Sequence, residues 1–278
     1  MILVIGANGM LGRDLMSLLA DRARGVDTMD IDITSSESTE RVVKALRPSV
    51  VINCAAYTDV DGCETEQMRA MQVNGEGVAN LASVTRVIGA KLVQISTDYV
   101  FNGGKGTPYV ETDRPDPISI YGESKLAGEM KAALNPDHLI VRTQWLYGLQ
   151  GKNFVETMLR LAEEKDQLDV VDDQIGSPTW TVDLARTLMA LIGNGCRGIY
   201  HAVNSGSCSW NDFARAIFEE AGLTVKVNGM TTEQLNRPAR RPLYSTLDCS
   251  KLARDIGHSL QPWREALKAY LAERKLIG

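Results

Sequence analysis

The sequence predicts an α/β protein built on a doubly wound parallel sheet, followed by a smaller α/β unit. Three observations predict it. Short apolar runs without alternation, Ile2 to Ile5, Val50 to Asn53 and Lys91 to Ile95, suit strands buried on both faces. Amphipathic helical stretches separate these runs, as the crossovers of a parallel sheet require. The first run leads straight into Gly6, Gly9 and Gly12 and then a helical pattern at Leu11, Leu15, Leu18 and Leu19.

Composition narrows the class. Of 278 residues, 44% are hydrophobic and 23% charged, as in an ordinary globular protein. Thirty basic against 35 acidic residues leave a net charge of −5, which argues against nucleic-acid or anionic-membrane partners. No apolar run approaches the ~20 residues that cross a bilayer. The N-terminal Met-Ile-Leu-Val-Ile run is too short for a signal peptide and lacks a basic flank. Cys54, Cys63, Cys196, Cys208 and Cys249 are odd in number and scattered, which suits reduced thiols in a cytoplasm. His138, His201 and His258 are too dispersed to suggest a metal cluster.

Taken in order, the spacing Gly6-x-x-Gly9-x-x-Gly12 lets the backbone turn tightly and approach a pyrophosphate at a helix N-terminus. With a strand before and a helix after, dinucleotide binding outranks a merely structural turn. The next strand reads as Val26 to Met29, ending in Asp30-Ile-Asp32. An acidic side chain there accepts from ribose hydroxyls and favours NAD, whereas Arg13 favours NADP, so NADH and NADPH both stay open. Thr34-x-x-Glu37 reads as a capping box for a helix through Leu46, closed by Pro48. The third strand delivers Cys54-Ala55-Ala56-Tyr57-Thr58, whose small residues admit a cofactor. Helices follow over Glu64 to Gln72 and Glu76 to Ile88, with Asn74 between them as a cap or an anchor.

The fourth strand carries Ser96 and Thr97 at its C-terminal end, where α/β sheets hold ligands. A long glycine- and proline-rich loop leads to Tyr121-Gly-Glu-Ser-Lys125, and His138 to Val141 forms a fifth strand ending at Arg142-Thr-Gln-Trp145. Positions four apart share a helix face, so Tyr121 and Lys125 stand together. An ammonium beside a phenol lowers its pKa and makes it a usable proton donor. Taken alone, the pair reads as chance on an exposed helix.

The glycine triplet, Tyr-x-x-x-Lys and upstream Ser/Thr together resemble an extended short-chain dehydrogenase/reductase. More narrowly, Asn53 to Asp61, Ser96 to Phe101, Tyr121 to Glu129, Arg142 to Trp145, Asn153-Phe154, Thr157 to Ala162 and Asp173 to Thr179 resemble dTDP-4-dehydrorhamnose reductases. The resemblance runs from the first strand past residue 210. It implies a Rossmann domain over 1–150, which also receives about 170–205, and a smaller α/β substrate-binding domain mainly over 151–278. It implies that Tyr121 donates a proton to a C4 oxygen, while Lys125 lowers the phenol's pKa and holds the nicotinamide ribose. Thr97 would polarise the carbonyl, Asp98 contact the sugar and Trp145 pack against it. Gly9, Met10, Leu11, Asp30, Asp32, Ile33, Ala56, Tyr57 and Thr58 would line the cofactor.

Related dehydratases carry Thr-Asp-Glu after the fourth strand. Here Tyr99 stands third, so the second acid needed for elimination is missing. Some relatives hold magnesium between subunits through glutamates, one of them on the first helix. This chain has Asp14 there and Val182-Asp183 near the second position, so no metal is expected.

In the second half, a helix over Phe154 to Glu164, a strand over Leu168 to Val171, a helix to Ile192 and a strand over Ile199 to Val203 are expected. Ser209-x-x-Asp212 opens a helix through Ala221, and further helices follow Ser250 and Pro262. Arg237-Pro-Ala-Arg240-Arg241-Pro242 concentrates three guanidiniums in an acidic chain, suited to a sugar diphosphate, or else forms a solvated basic turn. Trp263 reads as core.

The expected function is therefore NAD(P)H-dependent reduction of dTDP-4-dehydro-6-deoxy-L-mannose to dTDP-L-rhamnose for polysaccharide synthesis in the cytoplasm. A homodimer is the candidate assembly. The alternatives are a reductase or epimerase of another nucleotide 4-ketosugar, and a non-catalytic cofactor-binding regulatory subunit like that of methionine adenosyltransferase.

Overall fold

The computed structural model describes residues 1–276 in full and the backbone of Ile277. Strand β1 (Ile2–Ile5) passes through the glycine loop into α1 (Met10–Leu19), and β2 (Ala23–Val26), α2 (Ser36–Leu46) and β3 (Val50–Asn53) follow. Two short helices, α3 (Val60–Thr65) and α4 (Gln67–Met71), run through a π-helical turn at Gln72–Glu76 into α5 (Gly77–Ile88). Next come β4 (Lys91–Thr97), α6 (Ile120–Ala132) and β5 (His138–Thr143).

In the second half, β6 (Leu146–Tyr147), α7 (Phe154–Ala162), β7 (Gln167–Val171), β8 (Ile175–Gly176) and β9 (Thr179–Trp180) precede α8 (Thr181–Gly193) and β10 (Gly198–His201). The chain ends through β11 (Cys208–Ser209), α9 (Trp210–Ala221), β12 (Lys226–Met230), α10 (Thr232–Leu235), α11 (Ser250–Ile256) and α12 (Trp263–Ile277).

The main sheet has the order β10-β5-β4-β3-β1-β2, with every pairing parallel. The chain leaves β1 to one side for β2 and crosses back to β3 on the other. Ligand crevices open at the C-terminal ends of strands at such a switch point. Both faces are covered, which explains the missing alternation. Leu3 and Ile5 pack on Val43, Val78 and Leu81 of α2 and α5. Val4 between them packs on Leu15, Leu184 and Leu188 of α1 and α8. Each such fully buried leucine stabilises the layer by roughly 1.5–3 kcal/mol.

A second core forms where β7 pairs with β12 and α7, α9 and α12 close over them. Trp263 packs at its edge against Phe213, as its core assignment anticipates. The capping box at Ser209 and Asp212 forms and opens α9.

Two local expectations fail. The helix cap before α2 is Ser35, whose hydroxyl accepts from Ser38 N at 3.2 Å. Thr34 instead donates its hydroxyl to Asp32 at 2.7 Å, because the turn at Asp32 captures it first. Strand β2 ends at Val26 rather than Met29. A turn closed by Asp30 follows, and Met29 is 95% exposed.

Candidate active site

Glycine chemistry sets the floor of the site. Gly6 has φ +76°, and a Cβ there would lie 2.8 Å from Ala55 N. A Cβ on Gly12 would lie 2.1 Å from Gly6 O, so only hydrogen lets α1 press on the loop. The N-cap residue Gly9 offers no side chain, and the first turn carries no acid. The free N–H groups of that turn, with the helix dipole behind them, can hold a pyrophosphate. The cradle thus fits a dinucleotide.

A cavity of about 570 Å³ opens above this turn. Gly9, Met10, Leu11 and Gly12 form one side, with Ala56 and Thr58 beside them. Thr97, Asp98, Tyr121, Lys125 and Trp145 form the other. A neighbouring cavity of about 520 Å³ holds Gly6, Asp32, Ile33 and Tyr57. Residues 50 or more apart in sequence are thereby brought into one crevice.

The acid at the end of β2 is Asp27, a residue the sequence reading passed over. It lines the second cavity, and its Oδ2 accepts from Asn8 N at 2.9 Å in the glycine loop. Asp30 lies in a shallower depression with Arg13, Arg24 and Asp27, and its carboxylate accepts from Asp27 N at 3.0 Å. Asp32 accepts from Thr34 at 2.9 Å. Both aspartates are thus engaged in turns. The signal for Asp27 was its place directly after the buried Val26.

Asn74 is an anchor, not a cap. Its amide donates to Tyr57 O and Ser124 Oγ at 3.0 Å and accepts from Tyr57 N at 2.8 Å, tying the cofactor-side loop to α6.

Ser119 caps α6 through Gly122 N at 3.2 Å, so the helix begins one residue before Tyr121. The Lys125 ammonium donates to the Ile95 carbonyl at 2.7 Å. Burial pushes this lysine down to about 8, with Glu129 and Cys54 opposing. Burial and the Asp98 charge raise the Tyr121 phenol, while the Thr97 hydroxyl beside it acts the other way. The expected depression of that phenol by Lys125 is not what the geometry gives. The ammonium turns one N–H to Ile95, and desolvation with the Asp98 charge dominates the surroundings of the phenol. The phenol is therefore held protonated.

Thr97 donates to Asp98 Oδ1 at 3.1 Å and accepts from Tyr99 N at 3.2 Å. Asp98 is 1% exposed, and burial raises it to about 6 against hydrogen bonds from Ser245, Gln144 and Thr97. Gln144, which the sequence reading did not single out, donates to Asp98 at 3.1 Å and accepts from Ser177 N at 2.9 Å. Tyr99 packs edge-on against Tyr121 with centroids 5.4 Å apart.

Trp145 adopts φ +48°, a strained conformation for a bulky residue. Its ring stacks on Trp210 at 3.6 Å, and a Cβ on Gly176 would lie 2.6 Å from it. Trp210 lines the same cavity and donates to Gln174 at 3.2 Å. Its position at the start of α9, beside the capping box, was the only hint of this aromatic wall.

The basic loop lies elsewhere than expected. None of Arg237, Arg240 and Arg241 lines the central cavity. Arg241 grips Asp61 through both terminal nitrogens at 3.1 and 3.0 Å, and Arg237 reaches it at 3.5 Å, while Arg240 is exposed. Asp61 opens α3, so the loop straps the second half onto the first. Among the described residues no group of three or more His, Cys, Asp or Glu could hold a metal ion, and no helix is long and apolar enough to cross a membrane.

A parallel doubly wound sheet with a threonine at a strand end, a tyrosine and a lysine one turn apart on the adjoining helix, and a glycine cradle define an extended short-chain dehydrogenase/reductase. Residues 1–276 match the family model described as RmlD substrate binding domain. A dTDP-4-dehydrorhamnose reductase from Streptomyces griseus is 47% identical, over 95% of this chain and 91% of its own. The crystal structure of the Bacillus anthracis dTDP-4-dehydrorhamnose reductase in complex with NADP is 42% identical, with a TM-score of 0.96 and 98% of both chains covered. A dTDP-4-keto-6-deoxy-D-glucose reductase from Streptomyces niveus is 41% identical, over 95% of this chain and 90% of its own. The chain belongs to the dTDP-4-dehydrorhamnose reductase family.

Proposed function

We propose that the chain reduces the C4 ketone of dTDP-4-dehydro-6-deoxy-L-mannose to dTDP-L-rhamnose. The observation that carries this reading is the single cavity in which the uncapped start of α1 faces Thr97, Asp98, Tyr121, Lys125 and Trp145. A bound reduced nicotinamide, NADH or NADPH, supplies the hydride to C4. Tyr121 gives its proton to the ketone oxygen, so one hydride and one proton convert ketone to alcohol. A phenol held protonated is the form that this step consumes.

Lys125, fixed on Ile95, presents its charge to the nicotinamide ribose and to the oxygen as charge develops there. Thr97 hydrogen-bonds that oxygen, and Asp98 accepts from a sugar hydroxyl. Trp145 and Trp210 pack on the sugar's apolar face. Gly6, Gly9, Met10, Leu11 and Gly12 hold the pyrophosphate, Asp27, Asp32, Ile33, Ala56 and Tyr57 the adenosine side, and Thr58 the nicotinamide side. The substrate half is 151–278 without α8 and β10, which complete the dinucleotide half. Arg241, committed to Asp61, holds the second half against the first.

The test is loss of reduced-nicotinamide absorbance on adding the ketosugar. Tyr121→Phe should lower turnover by at least ~10²-fold while dinucleotide binding persists; retained turnover would remove Tyr121 from the role. The Streptomyces niveus relative supports a second reading, reduction of another dTDP-4-ketosugar, and a ketosugar panel separates the two.

A further inference from the structure

Helix α6 carries a third chemical residue on the face of Tyr121 and Lys125. Glu129 stands one turn beyond Lys125 and is 4% exposed. Its Oε1 accepts from the Ser96 hydroxyl at 2.6 Å and from Arg142 Nε at 2.8 Å, and its Oε2 from Arg142 Nη2 at 2.7 Å. Ser96 lies on β4 between Ile95, whose carbonyl holds Lys125, and Thr97. Arg142, on β5, is itself buried, and its third nitrogen lies 3.4 Å from His201 Nε2. Burial and the Arg142 charge push His201 down to about 3, so the imidazole is neutral and can accept there.

A buried ion pair is a weak source of stability, because desolvation offsets the attraction and an apolar pair would serve as well. Its yield is a fixed geometry and a fixed charge. We propose that Glu129 is a positioning residue: gripped by Ser96 and Arg142, it locks α6 in register on β4 and β5 and keeps the Lys125 ammonium charged and aimed at the strand end. The groups facing Lys125 are Tyr121 and Glu129 on α6, the Ile95 carbonyl on β4, and Cys54 after β3. The Cys54 thiol is pushed up to about 12 by burial and is uncharged at working pH. Glu129 is thus the negative charge that opposes desolvation of the lysine.

The inference rests on the role given to Lys125 above, and its test separates the two. Glu129→Gln keeps the shape and removes the charge. Because it leaves Arg142 unpaired, Glu129→Gln/Arg142→Met is measured beside it, with both charges removed. Two readouts are taken across pH: kcat/KM for the ketosugar, and binding of reduced dinucleotide by its fluorescence.

In Glu129→Gln the alkaline limb should move down by about one pH unit, since the carboxylate is what raises the lysine; in the double variant, which also removes the Arg142 charge, it moves the same way by less. Activity near pH 8 then falls about fivefold and returns on acidification, and dinucleotide affinity follows the same curve. Ser96→Ala, which keeps both charges, should lower kcat/KM severalfold and leave the limb in place. A loss equal at every pH, or an unmoved limb in a folded Glu129 variant, would overturn the proposal. If the wild type oxidises no dinucleotide with any ketosugar, the reductase reading fails instead, and the binding curve still reports on Lys125 and Glu129.

Discussion

Replacing Asp98 by Asn should stabilise the protein at neutral pH while impairing it as an enzyme. The carboxyl is buried, and burial raises it from 3.8 to about 6. A raised acid means that, between those values, the folded chain keeps a proton the unfolded chain has released. Stability therefore falls as pH rises through that window and levels off above about 6. At roughly 1.4 kcal/mol per pH unit, the wild type carries a penalty of ~3 kcal/mol at neutrality. Asn never ionises and escapes it, but it accepts more weakly from Thr97 and Gln144 and so loses about 1 kcal/mol. The variant should thus be more stable than wild type by ~2 kcal/mol near pH 7.5 and less stable by roughly 0.5 kcal/mol near pH 4. Urea unfolding of both proteins at the two pH values measures this. A variant that is less stable at both, or a gap that does not change sign, would show that Asp98 is charged in the fold without penalty. Sugar turnover should drop in either case, since an amide is a poorer acceptor than a carboxylate for a sugar hydroxyl.

Two further outcomes are expected. Asp27→Ser removes the carboxylate at the end of β2 and leaves Arg13 and Arg24 beside the same depression, so the ratio of NADPH to NADH affinity should rise about tenfold or more; calorimetric titration of both dinucleotides reads it, and an unchanged ratio would move the discriminating acid elsewhere. Arg241→Gln cuts a bidentate, partly buried pair with Asp61 and should cost about 1–3 kcal/mol of stability. By loosening the second half over the site it should also raise KM for the dTDP-ketosugar; if KM stays put, the strap matters to stability alone.

The sequence by itself determined what is written in short-range pattern. Unalternating apolar runs marked the strands of a sheet covered on both faces. The glycine spacing marked the cradle, and Tyr121 and Lys125, four apart, had to share a helix face. The position of Ser96 and Thr97 at a strand end followed from where the run stopped. Such features depend on backbone geometry over a few residues, so they can be read before any tertiary contact is known.

Only the tertiary structure decided which partners those residues meet. Asp27, not Asp30, directly follows β2 because the strand ends three residues earlier than its composition suggests, a boundary set by pairing with β1. Arg241 went to Asp61, 180 positions away, in the first turn of α3. Trp145 found Trp210 across the cavity, and Glu129 found Arg142 on the neighbouring strand. The Tyr121 phenol rose instead of falling because its desolvation depends on everything packed around it. Charge, burial and long-range contact are properties of the assembled crevice, and no local spacing encodes them.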